Sequence, residues 1–302
     1  MPIPLTGLVA ATFTPLTQDG AVDLDTVPAL VDHLARVGVA GLYINGSTGE
    51  GPSLTIEERR RLAEAYIGAA RGRLATIVQV GTNSTRESRE LAAHAAGIGA
   101  DAVSSTPPTY FKPGDAASLV DCVAEIAAGA PGLPYYYYHI PTMTGVTIDM
   151  EQFLRAAGGR VPNLAGIKFC SAAMHEMRRC ITLDGGRYEI LNAWDEMLLC
   201  GLATGAKGAV GSTYNFAAPV YQALIAAFER GDLEEARLWQ DRALEMIYAI
   251  IGTCGRAGLK SMMSLVGIDC GPHRRPIADA TPEQRTELRK RMDAIGFFEW
   301  IG

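Results

Sequence analysis

Lysine is scarce in this chain: only five of its 27 basic residues are lysines, namely Lys112, Lys168, Lys207, Lys260 and Lys290. No polybasic lysine tract exists, and the formal net charge of −6 argues against nucleic acid or an anionic membrane surface as a partner. A small-molecule ligand is expected instead. The six cysteines (Cys122, Cys170, Cys180, Cys200, Cys254, Cys270) form no C-x-x-C pair and no cysteine-histidine spacing of the zinc type. Neither a metal site nor a disulfide framework is therefore expected, and the thiols read as free cysteines of a reducing compartment. No run approaches about 18 uninterrupted apolar residues, and Met1-Pro2-Ile3-Pro4 lacks a basic leader region, so neither membrane span nor secretion signal is expected. A cytoplasmic location follows by default. The chain also lacks a linker, a low-complexity tract and a Gly-x-Gly-x-x-Gly after its first strand, the last of which removes the dinucleotide-binding alternative.

What is present is enough apolar material for one large core: 302 residues, 48% of them hydrophobic and 20% charged. Short β-branched or aromatic runs bounded by turn residues recur at Gly7–Thr12, Gly41–Asn45, Thr76–Val80, Ala102–Ser105, Pro134–His139, Gly166–Phe169, Tyr188–Leu191 and Gly208–Val210. Helical patterns separate them, two opening on capping signals: Thr55 with Glu58, and Ser84 with Glu87. Strict alternation of strand and helix gives a parallel sheet, and eight almost wholly apolar strands fit an α/β fold of the closed (β/α)8 TIM barrel type better than an open sheet. After Phe216 the strand signal stops, and Pro219–Arg230, Leu233–Ile251, Leu259–Val266 and Pro282–Ile295 read as helices. The expected organisation is a single domain over 1–302, with the barrel over about 6–230 and a helical C-terminal extension over about 231–302.

A parallel barrel keeps its chemistry at the C-terminal ends of its strands. Lys168 closes the apolar run Leu164-Ala165-Gly166-Ile167 there. Arginine stays protonated, whereas an amine in a dry site can become neutral and attack a carbonyl to give an imine. The bland reading is a lysine that ends a strand and reaches out to water. Position favours the chemical reading: Lys207 precedes the eighth strand on the opposite face, while Lys112 and Lys290 fall in a loop and a polar helix. Lys260, in a late helix, has no assigned place.

Other strand ends carry functional groups. Asn45-Gly46-Ser47-Thr48-Gly49-Glu50 brackets two hydroxyls with glycines, a turn able to hold a carboxylate or simply to cap the next helix. In Tyr135-Tyr136-Tyr137-Tyr138-His139, period-two alternation puts Tyr136 and Tyr138 on the lumenal face, with the Tyr138 phenol near the top, where it can move protons. His139 points the other way and reads as structural. Asp195 and Glu196 after the seventh strand are either a helix cap or acceptors for hydroxyl groups, and Gly211-Ser212-Thr213-Tyr214-Asn215 adds further polar groups.

This ordered set, Gly-Ser-Thr-Gly-Glu, Tyr-His-Ile-Pro, Gly-Ile-Lys, Trp-Asp-Glu and Gly-Ser-Thr-Tyr-Asn, resembles the N-acetylneuraminate lyase family within the dihydrodipicolinate synthase superfamily of pyruvate-dependent class I aldolases. The likeness runs from about Thr6 to Pro276. It implies that Lys168 forms a Schiff base with the 2-oxo group, that Tyr138 relays the proton, and that Ser47 and Thr48 hold the carboxylate. Ser47 would also link Tyr138 to Tyr110, which can serve the neighbouring subunit's site. Asp195, Glu196 and Ser212 match positions that bind the sugar tail. No metal or diffusible cofactor is implied, since the covalent imine is the electrophile, and a homotetramer built from two dimers is.

Three departures bear on the substrate. Met143 stands where dihydrodipicolinate synthases carry an arginine for a second carboxylate, which disfavours 4-hydroxy-tetrahydrodipicolinate synthase activity. Cys170 replaces a hydroxyl residue of the lyases, and Ala193 replaces a glycine beside the sugar. The resemblance thus implies cleavage of N-acetylneuraminate to pyruvate and N-acetylmannosamine. An aldolase or dehydratase acting on another 2-oxo-3-deoxy sugar acid is the alternative within the fold, and a sugar-acid-sensing binding protein the alternative outside enzymes.

Overall fold

The computed structural model describes residues 5–302; the Met1-Pro2-Ile3-Pro4 segment lies outside the described residues. Eight parallel strands close on themselves in sequence order: β1 (Gly7–Ala11), β2 (Gly41–Ile44), β3 (Ala75–Gln79), β4 (Ala102–Ser105), β5 (Tyr135–His139), β6 (Leu164–Phe169), β7 (Glu189–Asn192) and β8 (Gly208–Gly211). Closure comes from β8 pairing with β1, Gly7 opposite Gly208 and Ala10 opposite Gly211. The expected (β/α)8 barrel is present, with each strand boundary within two residues of the sequence reading.

Helices α1 (Val27–Arg36), α2 (Ile56–Ala70), α3 (Thr85–Gly97) and α4 (Ala116–Ala127) follow the first four strands. The second half carries α5 (Pro141–Thr144), α6 (Met150–Ala157), α7 (Met174–Thr182), α8 (Leu198–Thr204) and α9 (Tyr214–Glu229). Thr55 and Glu58 make the expected reciprocal capping box at α2. At α3 only half of the expected box forms. Ser84 accepts from the Glu87 N–H, but the Ser84 N–H is taken by the Thr82 hydroxyl, so Glu87 has no donor to reach back to. Helix α9 starts five residues before its expected first residue, Pro219, and tolerates that proline inside it through a non-helical step at Ala217.

Strand alternation divides the apolar residues into two layers. Val9, Ala11, Tyr43, Ile77, Ala102, Tyr136, Tyr138, Leu191 and Val210 fill the lumen. Their strand neighbours, such as Ala10, Leu42, Tyr135, Tyr137, Ile167 and Phe169, pack outward against the helices. His139 belongs to the outer layer, stacked 5.1 Å from the Phe169 ring, and its burial pulls the imidazole down to about 4. It is neutral and structural, as its parity predicts.

Beyond the barrel, α10 (Leu233–Cys254), α11 (Gly258–Leu265), α12 (Pro282–Ala294) and α13 (Phe297–Ile301) form the C-terminal extension. Among the described residues no helix is long and apolar enough to cross a membrane, and no cluster of three potential metal ligands occurs. The extension lies against the mouth of the barrel: the Gln240 side chain on α10 accepts from the Leu199 N–H (3.0 Å) and donates to the Asp195 carbonyl (3.3 Å).

Candidate active site

Lys168 is the penultimate residue of β6, beside Tyr138 of β5 and Leu191 of β7 and in register with both. Its side chain points into the lumen and is only 4% exposed. Nζ lies 3.7 Å from the Tyr138 ring centroid and 4.0 Å from that of Tyr43, so two aromatic faces surround the amine. The two rings meet edge to face at 5.6 Å. Burial draws the Lys168 ammonium from 10.5 down to about 8, against the opposite influence of Cys170 and the Asp195 carboxylate. The reading of a lysine that reaches out to water is excluded by this burial.

The β2 turn that follows Ile44 is tight. Asn45 and Glu50 both adopt left-handed backbone, with φ of 61° and 56°, unusual for residues with side chains. A Cβ at Gly51 would fall 1.9 Å from the Asn45 carbonyl oxygen, so only glycine closes this turn. Ser47 and Thr48 are consequently presented to the pocket, half-buried. Neither caps α2, since Thr55 does that. Burial pushes the Tyr138 phenol far above its ordinary value, while the nearby Ser47 hydroxyl and the charge of Arg256 oppose the rise.

Across the mouth, Asp195 is not a helix cap: no side-chain cap forms at the short turn it begins or at α8. Its carboxylate accepts instead from the Thr213 N–H (3.0 Å) and hydroxyl (2.6 Å) in the loop after β8. A Cβ at Gly211 would fall 2.1 Å from Asp195 Oδ1, so the glycine ending β8 makes room for the carboxylate. Burial raises Asp195, opposed by the Thr213 hydrogen bonds and Lys168. Burial raises Glu196 as well, and the neighbouring Asp195 charge adds to it.

These groups share one cavity of about 270 Å³, which Lys168, Tyr138, Ser47, Thr48, Cys170, Ala193, Asp195, Glu196 and Ser212 all line. The Cys170 thiol, pushed up to about 11 by burial, is present as the neutral S–H. Tyr110 is the one candidate the fold keeps apart. Its ring is 79% exposed, sits edge-on to Phe111, and does not line the cavity of its own chain.

Several lining residues escaped sequence reasoning: Thr142 on α5, Ile247, Ile250 and Ile251 on α10, and Arg256 and Leu259 just beyond it. The four isoleucine and leucine side chains add an apolar part to the cavity lining. Helix α10 reads as an ordinary amphipathic helix, and nothing in its periodicity distinguishes residues that face a pocket from residues that face a core. Of the lysines, Lys112, Lys207 and Lys290 are exposed, whereas Lys260 is buried beside Glu50.

A closed barrel that keeps a desolvated lysine, a hydroxylated turn and paired carboxylates at the C-terminal ends of its strands is built as an imine-forming lyase. Comparison with known proteins makes the family specific. The model of the dihydrodipicolinate synthetase family matches residues 4–295, and the chain belongs to that family of class I aldolases. It is 39% identical to the N-acetylneuraminate lyase of Rattus norvegicus over 99% of this chain and 95% of that protein. The structure of Proteus mirabilis N-acetylneuraminate lyase superposes with a TM-score of 0.95 at 41% identity, covering 98% of this chain and all of the other. That of the Aliivibrio salmonicida lyase, a sialic acid aldolase, gives 0.94 at 38%, with 98% of both chains covered.

Proposed function

We propose that this protein is a Schiff-base aldolase that cleaves N-acetylneuraminate reversibly to pyruvate and N-acetylmannosamine. The observation that carries the reading is Lys168: an almost fully buried amine, brought down to about 8, at the floor of a pocket that also presents hydroxyls and carboxylates. Relatives matched over nearly their whole length and named for this reaction support the substrate.

The neutral amine attacks C2 of the open-chain substrate while Ser47 and Thr48 hold the carboxylate, which orients the carbonyl and lowers the entropic cost of attack. Tyr138 gives its phenol proton to the departing C2 hydroxyl, so loss of water leaves a protonated imine beside the phenolate. That phenolate, with Ser47 in the relay, takes the proton of the C4 hydroxyl; the C3–C4 electron pair flows into the imine, and the aldehyde leaves. Protonation of the resulting enamine at C3 and addition of water to C2 release pyruvate and the free amine. Asp195, Glu196 and Ser212 accept and donate hydrogen bonds to the hydroxylated tail. The isoleucines of α10 line the same cavity and suit an acyl methyl group. No cofactor enters, because the covalent imine is the electron sink. The enzyme works in the cytoplasm as a homotetramer of two dimers, in which Tyr110, projecting from its own chain, completes the proton relay of a neighbour.

Release of pyruvate from N-acetylneuraminate, followed beside borohydride trapping of pyruvate on the same preparation, tests this. Turnover supports the lyase. Trapping without release keeps the imine chemistry and moves the substrate to another 2-oxo-3-deoxy sugar acid, the reading that Cys170 and Ala193 in the tail region favour. Absence of any adduct overturns the aldolase and leaves a sugar-acid sensor.

A further inference from the structure

The turn carrying Ser47 and Thr48 is gripped from outside the barrel by residues more than two hundred positions away. Glu50, which ends that turn, is 4% exposed and forms an ion pair with Lys260 of α11, itself 3% exposed, at 2.9 Å. The Lys260 ammonium also donates to the Pro272 carbonyl at 2.6 Å. The other Glu50 oxygen accepts the Arg274 N–H at 2.6 Å, and the Arg274 guanidinium makes a two-pronged contact with Glu58 at 2.9 and 3.0 Å. At the opposite end of the turn, the Arg256 guanidinium donates to the Ser47 carbonyl, and between them the Thr14 hydroxyl donates to the Gly49 carbonyl.

A fully buried ion pair is an inefficient way to stabilise a fold, because desolvation consumes most of the attraction; apolar side chains of similar size usually do as well. What such a pair does supply is direction. The carboxylate must meet an ammonium on one side and a backbone N–H on the other, so the backbone of Glu50 has one position, in a left-handed conformation that would otherwise relax. The hydroxyls of Ser47 and Thr48 are then free of structural duty and aimed at the cavity.

We propose that Glu50 and Lys260 together are a positioning device for the carboxylate cradle: the C-terminal extension sets Ser47 and Thr48 at the spacing that a 2-oxo acid requires. Lys260 is thus a positioning residue for substrate binding, separated from the chemistry by the β2 turn. This rests on the reading of Lys168 as the imine-forming residue.

The test is borohydride trapping on the full-length protein, titrated with pyruvate and, separately, with acetone, which offers the same ketone without a carboxylate. In each case Lys168 Nζ bonds to the carbonyl carbon with loss of water. Hydride from borohydride then adds to that carbon and a solvent proton to nitrogen, leaving a secondary amine read as a mass increase. Lys260→Met is expected to raise the pyruvate concentration for half-maximal trapping by about tenfold, equivalent to about 1.4 kcal/mol, with acetone trapping unchanged. The double variant Glu50→Gln/Lys260→Met, which buries no unpaired charge and so keeps the fold even where the single variant does not, is expected to show the same selective loss. Pyruvate trapping at the wild-type concentration in the double variant overturns the proposal, and so does a parallel loss of pyruvate and acetone. Wild-type protein that traps no pyruvate instead overturns the aldolase reading on which the proposal rests.

Discussion

Two lysines are buried at the top of this barrel, and their surroundings differ in one respect. Lys260 meets a carboxylate at 2.9 Å and a carbonyl at 2.6 Å, so its charge is compensated twice. Lys168 meets the faces of two tyrosines and no carboxylate within ion-pairing distance. Aromatic faces attract a cation more weakly than a carboxylate does in a dry site. Burial without such a partner brings the Lys168 ammonium down to about 8. Equal burial therefore leaves one amine against aromatic faces and holds the other in an ion pair, and the difference in partners is what the proposed roles of the two lysines rest on.

The sharpest way to break this comparison is to exchange chemistry at Lys168. Lys168→Ala or Lys168→Arg is expected to abolish pyruvate release and borohydride trapping while circular dichroism stays native; activity in either variant removes the residue from the reaction. Next comes Tyr138→Phe, expected to lower kcat by about 10²- to 10⁴-fold, the usual worth of a positioned proton donor, with substrate still bound by calorimetry. An unchanged kcat takes Tyr138 out of the relay.

Thermal or denaturant unfolding contrasts the two lysines directly. Lys260→Met strands Glu50 without its cation and is expected to cost about 3–5 kcal/mol. Lys168→Met is expected to stabilise by about 1–3 kcal/mol, because the fall from 10.5 to about 8 measures how strongly the site disfavours the charged form. The unfolded chain holds that proton up to 10.5 and the native protein only to about 8, so the cost is fully present below pH 8 and disappears as pH rises toward 10.5. Equal effects of both substitutions would erase the distinction. The same depressed ionisation makes kcat/KM rise with pH until about 8, where the amine is neutral, and a pH profile flat from 6 to 9 would contradict it. The smallest effect is expected from Cys170→Thr, which adds a hydroxyl at the tail side of the cavity and should lower KM for N-acetylneuraminate by about threefold, within the worth of one hydrogen bond.

Much of this was legible in the chain. The alternation of strand and helix, the lumenal parity of Tyr136 and Tyr138 and the outward placement of His139 all follow from local periodicity, which the barrel obeys. Strand ends were legible too, because turn residues mark them, and with them the groups at the mouth. The role of Asp195 was not, since capping and cross-loop bonding to Thr213 draw on the same residue type, and only the proximity of β8 chooses between them. Ile247 and Ile251 were missed for a related reason: they sit on a helix whose pattern says which face is covered but not by what, and Arg256 sits in the short turn that follows it.

By itself, the sequence determined the alternation of strand and helix, the faces on which the tyrosines and His139 of β5 stand and the presence of one lysine near a strand end, because these depend on neighbours within a few residues. The tertiary structure alone decided which lysine would be left uncompensated and which would be paired. That outcome depends on contacts such as Arg256 with Ser47 and Arg274 with Glu50, across 209 and 224 positions of chain, where no periodicity reaches and only the packing of the C-terminal extension over the barrel mouth brings the partners together.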